Sequence, residues 1–174
     1  PAWARPSDVP PGSGYKGCEV AMRISCIMVP VEYSEHCRRA LETAGVWAER
    51  LGARVEVIHV WDRPPLVSPD TTVNQPTGEK RSLFELIGEN AEKEMREFVA
   101  SARVPASVDL TQHLESGEPA SAILAAATRR GADLIVVSTH GRRGIRHFLM
   151  GSVAEEVVRL SPVPVLTVPA RLAQ

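Results

Sequence analysis

Two glycines in the C-terminal third of the chain, and the serine after the second, have types and a spacing that suit anion binding. Gly141 and Gly151 are separated by nine residues, and Ser152 opens a segment with helical periodicity. A glycine lets the backbone approach a ligand closely, and the N–H groups at a helix N-terminus attract negative charge. The spacing leaves two interpretations open: a phosphate site, or a loop whose glycines serve turns while Ser152 caps the helix.

The loop between these glycines is basic, with Arg142, Arg143, Arg146 and His147. Arg142 directly follows the first glycine and is the preferred phosphate contact, because a guanidinium donates paired hydrogen bonds to phosphate oxygens. The other basic side chains fit a solvated loop surface equally well. His140 could act as an acid or base, but no nucleophile with an orienting carboxylate accompanies it. We therefore interpret His140 as a residue that shapes the turn.

Composition excludes several classes of protein. The 174 residues include 20 basic and 21 acidic side chains, whereas nucleic-acid-binding domains usually carry a basic excess. No apolar stretch approaches the roughly 20 residues that span a bilayer. The cysteines and histidines show no metal-ligand spacing, and we expect Cys26 and Cys37 to be buried thiols in a reducing compartment. These features predict a cytoplasmic protein.

The first 21 residues are rich in proline and glycine and contain no apolar run, so we do not expect a signal peptide there. We interpret residues 1–21 as an N-terminal extension or a cloning remnant. Residues 22–170 are expected to form one domain, followed by a short tail at 171–174.

Apolar runs alternate with segments of helical periodicity throughout this domain. The predicted strands are Ile24–Val29, ended by Pro30, then Arg54–Val60, a partly exposed strand through Val108, Leu110 and Leu114, Leu134–Val137, and Val163–Val168. The predicted helices begin after Ser34, at Arg81, at Pro119 and at Ser152, and the last should bury Val153, Val157 and Leu160. Residues 61–78 lack periodicity and are predicted to be a loop.

This alternation predicts an α/β fold: a single five-stranded, doubly wound parallel sheet with helices on both faces, of the Rossmann-like type. Ligands of such sheets bind beyond the carboxyl ends of the strands, where the strand order reverses. Three segments reach such ends with suggestive residues: Pro30-Val31-Glu32, the segment from Val60, and residues 138–152.

The sequence resembles the universal stress protein family over nearly all of residues 22–169. The stretch ADLIVVSTHGRRGIRHFLMGSVAEEVVRLSPVPVLTVP is similar to the family's C-terminal signature. The segments ISCIMVPVEYSEHCRRAL and VEVIHVWD resemble its first βαβ unit. The resemblance implies a sheet of the universal stress protein type, a role linked to stress, and a homodimer.

Many members that share this signature bind ATP through G-x-x-G-x9-G-Ser/Thr, and Gly141, Gly151 and Ser152 match its last three elements. Two positions depart from the pattern. Ser138 stands where the first glycine falls, and Glu32 stands where an aspartate is common. The resemblance implies a site for ATP, with Mg²⁺, formed by Pro30, Val31, Glu32, Val60, Ser138, His140, Gly141, Arg142, Gly151, Ser152 and Val153.

In that site Val31 and Val60 would lie near the adenine, and the second glycine and the helix start would hold the phosphates. ATP could be a regulatory ligand or be hydrolysed slowly, and no catalytic residue is assigned. The family resemblance implies that Val163–Val168 pairs with the same strand of a second copy. The alternative is a dimeric interaction module that binds no nucleotide, which Ser138 favours. A related adenylating ligase or pyrophosphatase is disfavoured, because its HxGH or SGGxDS motif is missing.

Overall fold

The computed structural model describes residues 23–61, 71–74, 79–139 and 151–169. The strands are β1 (Cys26–Pro30), β2 (Arg54–Trp61), β3 (Thr72–Asn74), β4 (Lys80–Ser82), β5 (Leu110–Ser116), β6 (Leu134–Ser138) and β7 (Val165–Val168). The helices are α1 (Glu35–Leu51), α2 (Leu83–Ser101), α3 (Pro119–Arg130) and α4 (Ser152–Leu160).

Five parallel strands form one sheet in the order β5-β2-β1-β6-β7. The chain runs outward from β1 through β2 to β5, then returns to the other side of β1 to add β6 and β7. The direction of winding therefore reverses between β1 and β6, which confirms the predicted doubly wound sheet. A ligand cleft is expected at the carboxyl ends of these two strands.

Each face of the sheet is covered by two helices, because successive side chains of a buried strand point to opposite faces. Ile27 and Val29 of β1 pack with α1 and α2, where Leu41 and Met95 are buried. Met28, on the opposite face, packs in the cluster that α3 and α4 cover. The near-continuous apolar sequence of β1 follows from burial on both faces.

Local sequence signals set the helix ends. The Ser34 hydroxyl accepts a hydrogen bond from Cys37 N at the start of α1, and Gly52 ends that helix at φ 65°. The Glu118 carboxylate caps α3, whose first residue is Pro119, and Gly131 ends α3 at φ 63°. A left-handed C-cap favours glycine because it has no Cβ. The predicted ends at Ser34, Gly52, Pro119 and Gly131 are confirmed.

The prediction that residues 61–78 form a loop was wrong at two places. Trp61 belongs to β2, and Thr72–Asn74 pairs antiparallel with Lys80–Ser82 in a separate hairpin. The same pairing delays the start of α2 from the predicted Arg81 to Leu83. Such short strands have no period-2 apolar pattern, since all three residues of β3 are exposed.

Other differences from the prediction include two strand boundaries and the burial of one residue. Pro30 is the last residue of β1 and does not stop the strand before it. The last strand begins at Val165 and not at Val163. Val157 of α4 is buried as expected, but Leu160 is 51% exposed because it lies in the last turn, near the helix end.

Candidate functional site

The segment after β1 reaches the point where the winding reverses. Pro30 is buried, Val31 is 6% exposed and Glu32 is half-buried. Val31 N donates to Ile58 O at 2.8 Å, so the chain keeps a strand-like contact with β2 one residue beyond β1. Residues 30–32 therefore lie at the cleft edge of the sheet, as their position after a buried strand predicts.

The end of β6 is held on two sides. Thr139 N donates to Val168 O of β7 at 3.1 Å, and Gly151 N donates to Thr139 O at 2.7 Å. The second bond brings the start of α4 back to the carboxyl end of β6. Residues 140–150, which connect these two points, lie outside the described part of the chain, and with them the predicted site residues His140, Gly141 and Arg142.

The N-terminus of α4 carries no side-chain cap in the described part of the chain. Gly151 is the N-cap at φ −69° and ψ 149°, and its carbonyl accepts the first helical bond, from Glu155 N at 2.9 Å. Ser152 is the first helical residue and is exposed, so the interpretation of Ser152 as the cap is wrong. The first N–H groups of a helix lack partners within the helix, and an anion can satisfy them.

Ser138 directs its hydroxyl into the protein interior. The residue is 6% exposed, and its Oγ lies 3.4 Å from the buried Cys37 Sγ of α1. The sequence had left open whether a serine in place of glycine would obstruct a ligand. The hydroxyl thus contacts the first turn of α1, which follows the segment after β1.

Val60 lies near the end of β2 and is half-buried, with its side chain against the cluster that α3 and α4 cover. Its backbone pairs in register with Glu115 of β5. Val60 is thus on the β2 side of the cleft, whereas Ser138 and Gly151 are on the β6 side. Val31 and Glu32 lie between them, after the central strand β1.

Two residues that were not predicted as site residues, His59 and Tyr33, contact the site or each other beside it. His59 Nδ1 lies 2.8 Å from Val31 O, and the rings of His59 and Tyr33 stack with centroids 4.3 Å apart. Tyr33 adopts φ 63°, the only positive φ among the described residues other than glycine. The VEVIHV pattern showed His59 on a strand but did not reveal its partner. A contact between residues 28 positions apart depends on strand register.

Within the described residues, no three His, Cys, Asp or Glu side chains come close enough together to hold a metal ion. None of the helices in the same residues combines the length and apolarity that crossing a bilayer requires. The chemistry of the described cleft is thus that of backbone amides, one carboxylate at Glu32, and hydroxyls.

Comparison with known proteins assigns the family. The model of the universal stress protein family matches residues 25–169, which includes every strand of the parallel sheet. The chain belongs to the universal stress protein family. A universal stress protein of Thermus aquaticus, named for its place in the QAH/OAS sulfhydrylase 3′ region, is 35% identical over 142 residues. That match covers 82% of this chain and 96% of the relative.

Solved universal stress proteins share the fold. The protein UspA from Lactobacillus plantarum superposes with a TM-score of 0.61 at 25% identity, covering 84% of this chain and 98% of its own. A universal stress protein solved in complex with cAMP has a TM-score of 0.61 at 23% identity, over 86% of this chain and 99% of its own. This second likeness concerns the fold alone.

Proposed function

We propose that this universal stress protein binds ATP in the cleft between the ends of β1 and β6. Adenine would lie near Val31 and Val60, and Glu32 would face the nucleoside. The phosphates would accept hydrogen bonds from the N–H groups of Gly151, Ser152 and Val153, and Mg²⁺ would be bound by the phosphates. In this proposal ATP is a regulatory ligand in a cytoplasmic stress response, and any hydrolysis is slow.

The observation that carries this proposal is the N-terminus of α4, which no described side chain caps and which is bonded to the end of β6 through Gly151 N and Thr139 O. Ser34 and Glu118 cap α1 and α3, whereas neither α2 nor α4 has a side-chain cap among the described residues, and of these two α4 is the one bonded to the end of β6. An anion at the α4 N-terminus would receive backbone N–H bonds and the favourable end of the helix dipole.

The predicted contacts at Ser138, His140, Gly141 and Arg142 complete the proposal. The contact of the Ser138 hydroxyl with the buried Cys37 Sγ supports room for a nucleotide at the position of the missing glycine. His140, Gly141 and Arg142 stay proposals from sequence, with Arg142 as the phosphate contact. The cAMP complex of a protein with the same fold is consistent with an adenine ligand.

The test is nucleotide content followed by titration. Purified protein is denatured, its supernatant is analysed by HPLC, and the nucleotide-free form is titrated with Mg-ATP in a calorimeter. We expect adenine nucleotide in the supernatant, or micromolar binding that Ser152→Ala weakens and Gly151→Val abolishes. Gly151 has φ −69°, which valine also adopts, so Gly151→Val changes access to the helix start without forcing the backbone.

Ser121→Ala is the matched control, since Ser121 lies in the first turn of α3, whose N–H groups Glu118 already caps. It should bind Mg-ATP like the wild type. If the wild type releases no adenine nucleotide and gives no heat at millimolar ATP, nucleotide binding is wrong. The interaction module without nucleotide then becomes the working function.

A further inference from the structure

Both backbone groups of Val31 are bonded to β2. Val31 N donates to Ile58 O at 2.8 Å, and Val31 O lies 2.8 Å from His59 Nδ1. A carbonyl oxygen can only accept, so the proton of this bond resides on Nδ1. His59 therefore holds the carbonyl of the residue that immediately precedes Glu32.

Tyr33 fastens the chain on the other side of Glu32. Its ring stacks on the His59 imidazole with 27° between the planes, and it packs against Phe98 of α2 with centroids 5.5 Å apart. Its backbone has φ 63°, a conformation that costs a side-chain-bearing residue about 1–2 kcal/mol relative to the right-handed region. Since strain of this kind persists only where surroundings impose it, the stack and the packing on Phe98 hold the turn.

From this geometry we infer that His59 and Tyr33 are positioning residues for the nucleoside half of the cleft. They fix the backbone of Val31 and the direction in which Glu32 leaves it, and neither needs to touch the ligand. The inference rests on the proposed function for its ligand, but the Nδ1–H bond itself does not depend on any ligand.

The variants separate the hydrogen bond from the ring. His59→Phe keeps an aromatic ring for Tyr33 and loses the donor to Val31 O. His59→Asn retains an amide N–H close to the position of Nδ1. Ser121→Ala serves as the control, because Glu118 already caps the first turn of α3 in which Ser121 lies.

We expect His59→Phe to weaken ATP and adenosine binding by the same factor, about three- to tenfold for one lost hydrogen bond. His59→Asn should recover most of that loss, and Ser121→Ala should bind like the wild type. Ser152→Ala should instead weaken ATP and leave adenosine unchanged. A His59→Phe variant with wild-type affinity, or one that weakens ATP alone, would overturn the positioning role while leaving ATP binding intact.

A second measurement decides the inference even if the wild type binds no nucleotide. Long-range ¹H–¹⁵N spectra of histidine side chains above pH 8 should show His59 as the neutral Nδ1–H tautomer. Amide hydrogen exchange at Glu32 and Tyr33 should be faster in His59→Phe than in the wild type or His59→Asn. An Nε2–H tautomer, or unchanged exchange in His59→Phe, refutes the inference independently of the nucleotide result.

Discussion

At the scale of single residues, Asp133 ties the start of β1 to the start of β6. Its Oδ2 accepts from Ser25 N and Ser25 Oγ, both at 2.8 Å, and from Cys26 N at 3.0 Å. The two bonds from Ser25 lower the pKa of the Asp133 carboxyl below its ordinary value of 3.8, and burial opposes them less strongly. The Cys26 bond adds a smaller lowering. The hydrogen bonds of Asp133 therefore help to align β1 with β6, and so determine where the carboxyl ends of the two strands lie.

Replacing Asp133 by alanine should lower the free energy of unfolding by about 1–3 kcal/mol at pH 7, because buried Cys26 N loses its acceptor. A lowered folded-state pKa gives stability that is complete above the unfolded-state pKa and is lost as the pH falls through the folded-state pKa. The gap between wild type and Asp133→Ala should therefore shrink below about pH 3.8. Urea unfolding at pH 7, 5 and 3 measures this difference in the free energy of unfolding. An equal difference at all three pH values would contradict the stabilising role of the ionised Asp133 carboxylate.

Some residue-scale features could be predicted from sequence and some could not. Ser34, Gly52 and Gly131 act locally, so their cap roles were predictable from neighbouring residues. The Cys37–Ser138 contact joins residues 101 positions apart and depends on how α1 crosses β6. Spacing along the chain carries no information about that crossing, which is why the orientation of the Ser138 hydroxyl remained open.

At the scale of elements, a buried carboxylate joins β2, β5 and α3. Glu56 is 7% exposed and accepts from Arg54 Nε and Thr111 Oγ1 at 3.0 Å and contacts His113 Nε2 at 2.5 Å. Arg130 of α3 lies 3.7 Å away. Burial raises the pKa of Glu56, but the hydrogen bonds from Arg54, Thr111 and His113 together outweigh it and lower the pKa. The network holds the exposed edge strand β5 to the covered part of the sheet.

Glu56→Gln should destabilise the protein by about 2–4 kcal/mol, because it leaves the neighbouring arginines without their shared carboxylate. Glu115→Gln is the matched control in the same region. Glu115 pairs with Arg129, which is 54% exposed at the side chain, and lies 3.6 Å from Arg130, which keeps Glu56 as a partner in this variant. The loss should therefore be less than about 1 kcal/mol. Guanidinium unfolding at pH 7 gives the free energy of unfolding of both variants. Equal losses would mean that the buried position of Glu56 does not increase its contribution to stability.

Two helical glycines should respond in opposite directions. A Cβ at Gly45 of α1 would lie 3.0 Å from Val104 Cγ1 and 3.2 Å from Pro105 Cδ, whereas a Cβ at Gly88 of α2 meets nothing within 4 Å. Gly45→Val should cost about 1–3 kcal/mol through overpacking. Gly88→Ala should add about 0.5–1 kcal/mol, because alanine favours the helix. Thermal unfolding of both variants tests the packing of α1 on the segment between α2 and β5, and a stabilising Gly45→Val would refute it.

Prediction of the elements succeeded where periodicity was sustained and failed where it was short. The four helices and the five sheet strands each carry an apolar period that a buried face requires. The β3–β4 hairpin was missed because three exposed residues present no such period. Strand ends were less accurate than strand identities, as the position of Pro30 within β1 illustrates.

At the scale of the whole molecule, β7 forms an edge of the sheet among the described residues. Ile135 N donates to Pro164 O, and Thr139 N donates to Val168 O. Backbone groups alternate sides along a strand, so those of Val165 and Thr167 face the open edge. Pairing with a second copy through 163–168 stays a proposal, which the exposed Leu160 and Val158 of the adjoining α4 support.

Thr167→Pro should convert the proposed homodimer to a monomer. Proline removes an outward N–H and keeps the bonds to β6, a substitution that sheet edges tolerate. Thr167→Val retains the N–H and should remain dimeric. Light scattering after size-exclusion chromatography gives the mass, and thermal unfolding verifies that each variant is folded. A folded Thr167→Pro dimer would place the interface elsewhere.

The doubly wound parallel sheet was predicted from the alternation of strands and helices, whereas the order of its strands was not. Right-handed crossovers between adjacent parallel strands leave few arrangements for alternating strands and helices, and the order β5-β2-β1-β6-β7 is one of them. The described half of the candidate site followed from this order, since it puts residues 30–32 beside Ser138. Residues 140–150 supply the other predicted contacts and lie outside the described chain.

The hydrogen bond between Gly151 N and Thr139 O also bears on how this family can vary. Because this bond joins Gly151 to Thr139, the segment that connects them begins and ends at adjacent points beside β6. In a flexible loop, doubling the number of residues raises the entropic cost of closing the loop by only about 0.6 kcal/mol. Segments of other lengths and compositions could therefore be grafted between the same two residues while the sheet and α4 keep their places, so that ligand preference could change without a change of scaffold.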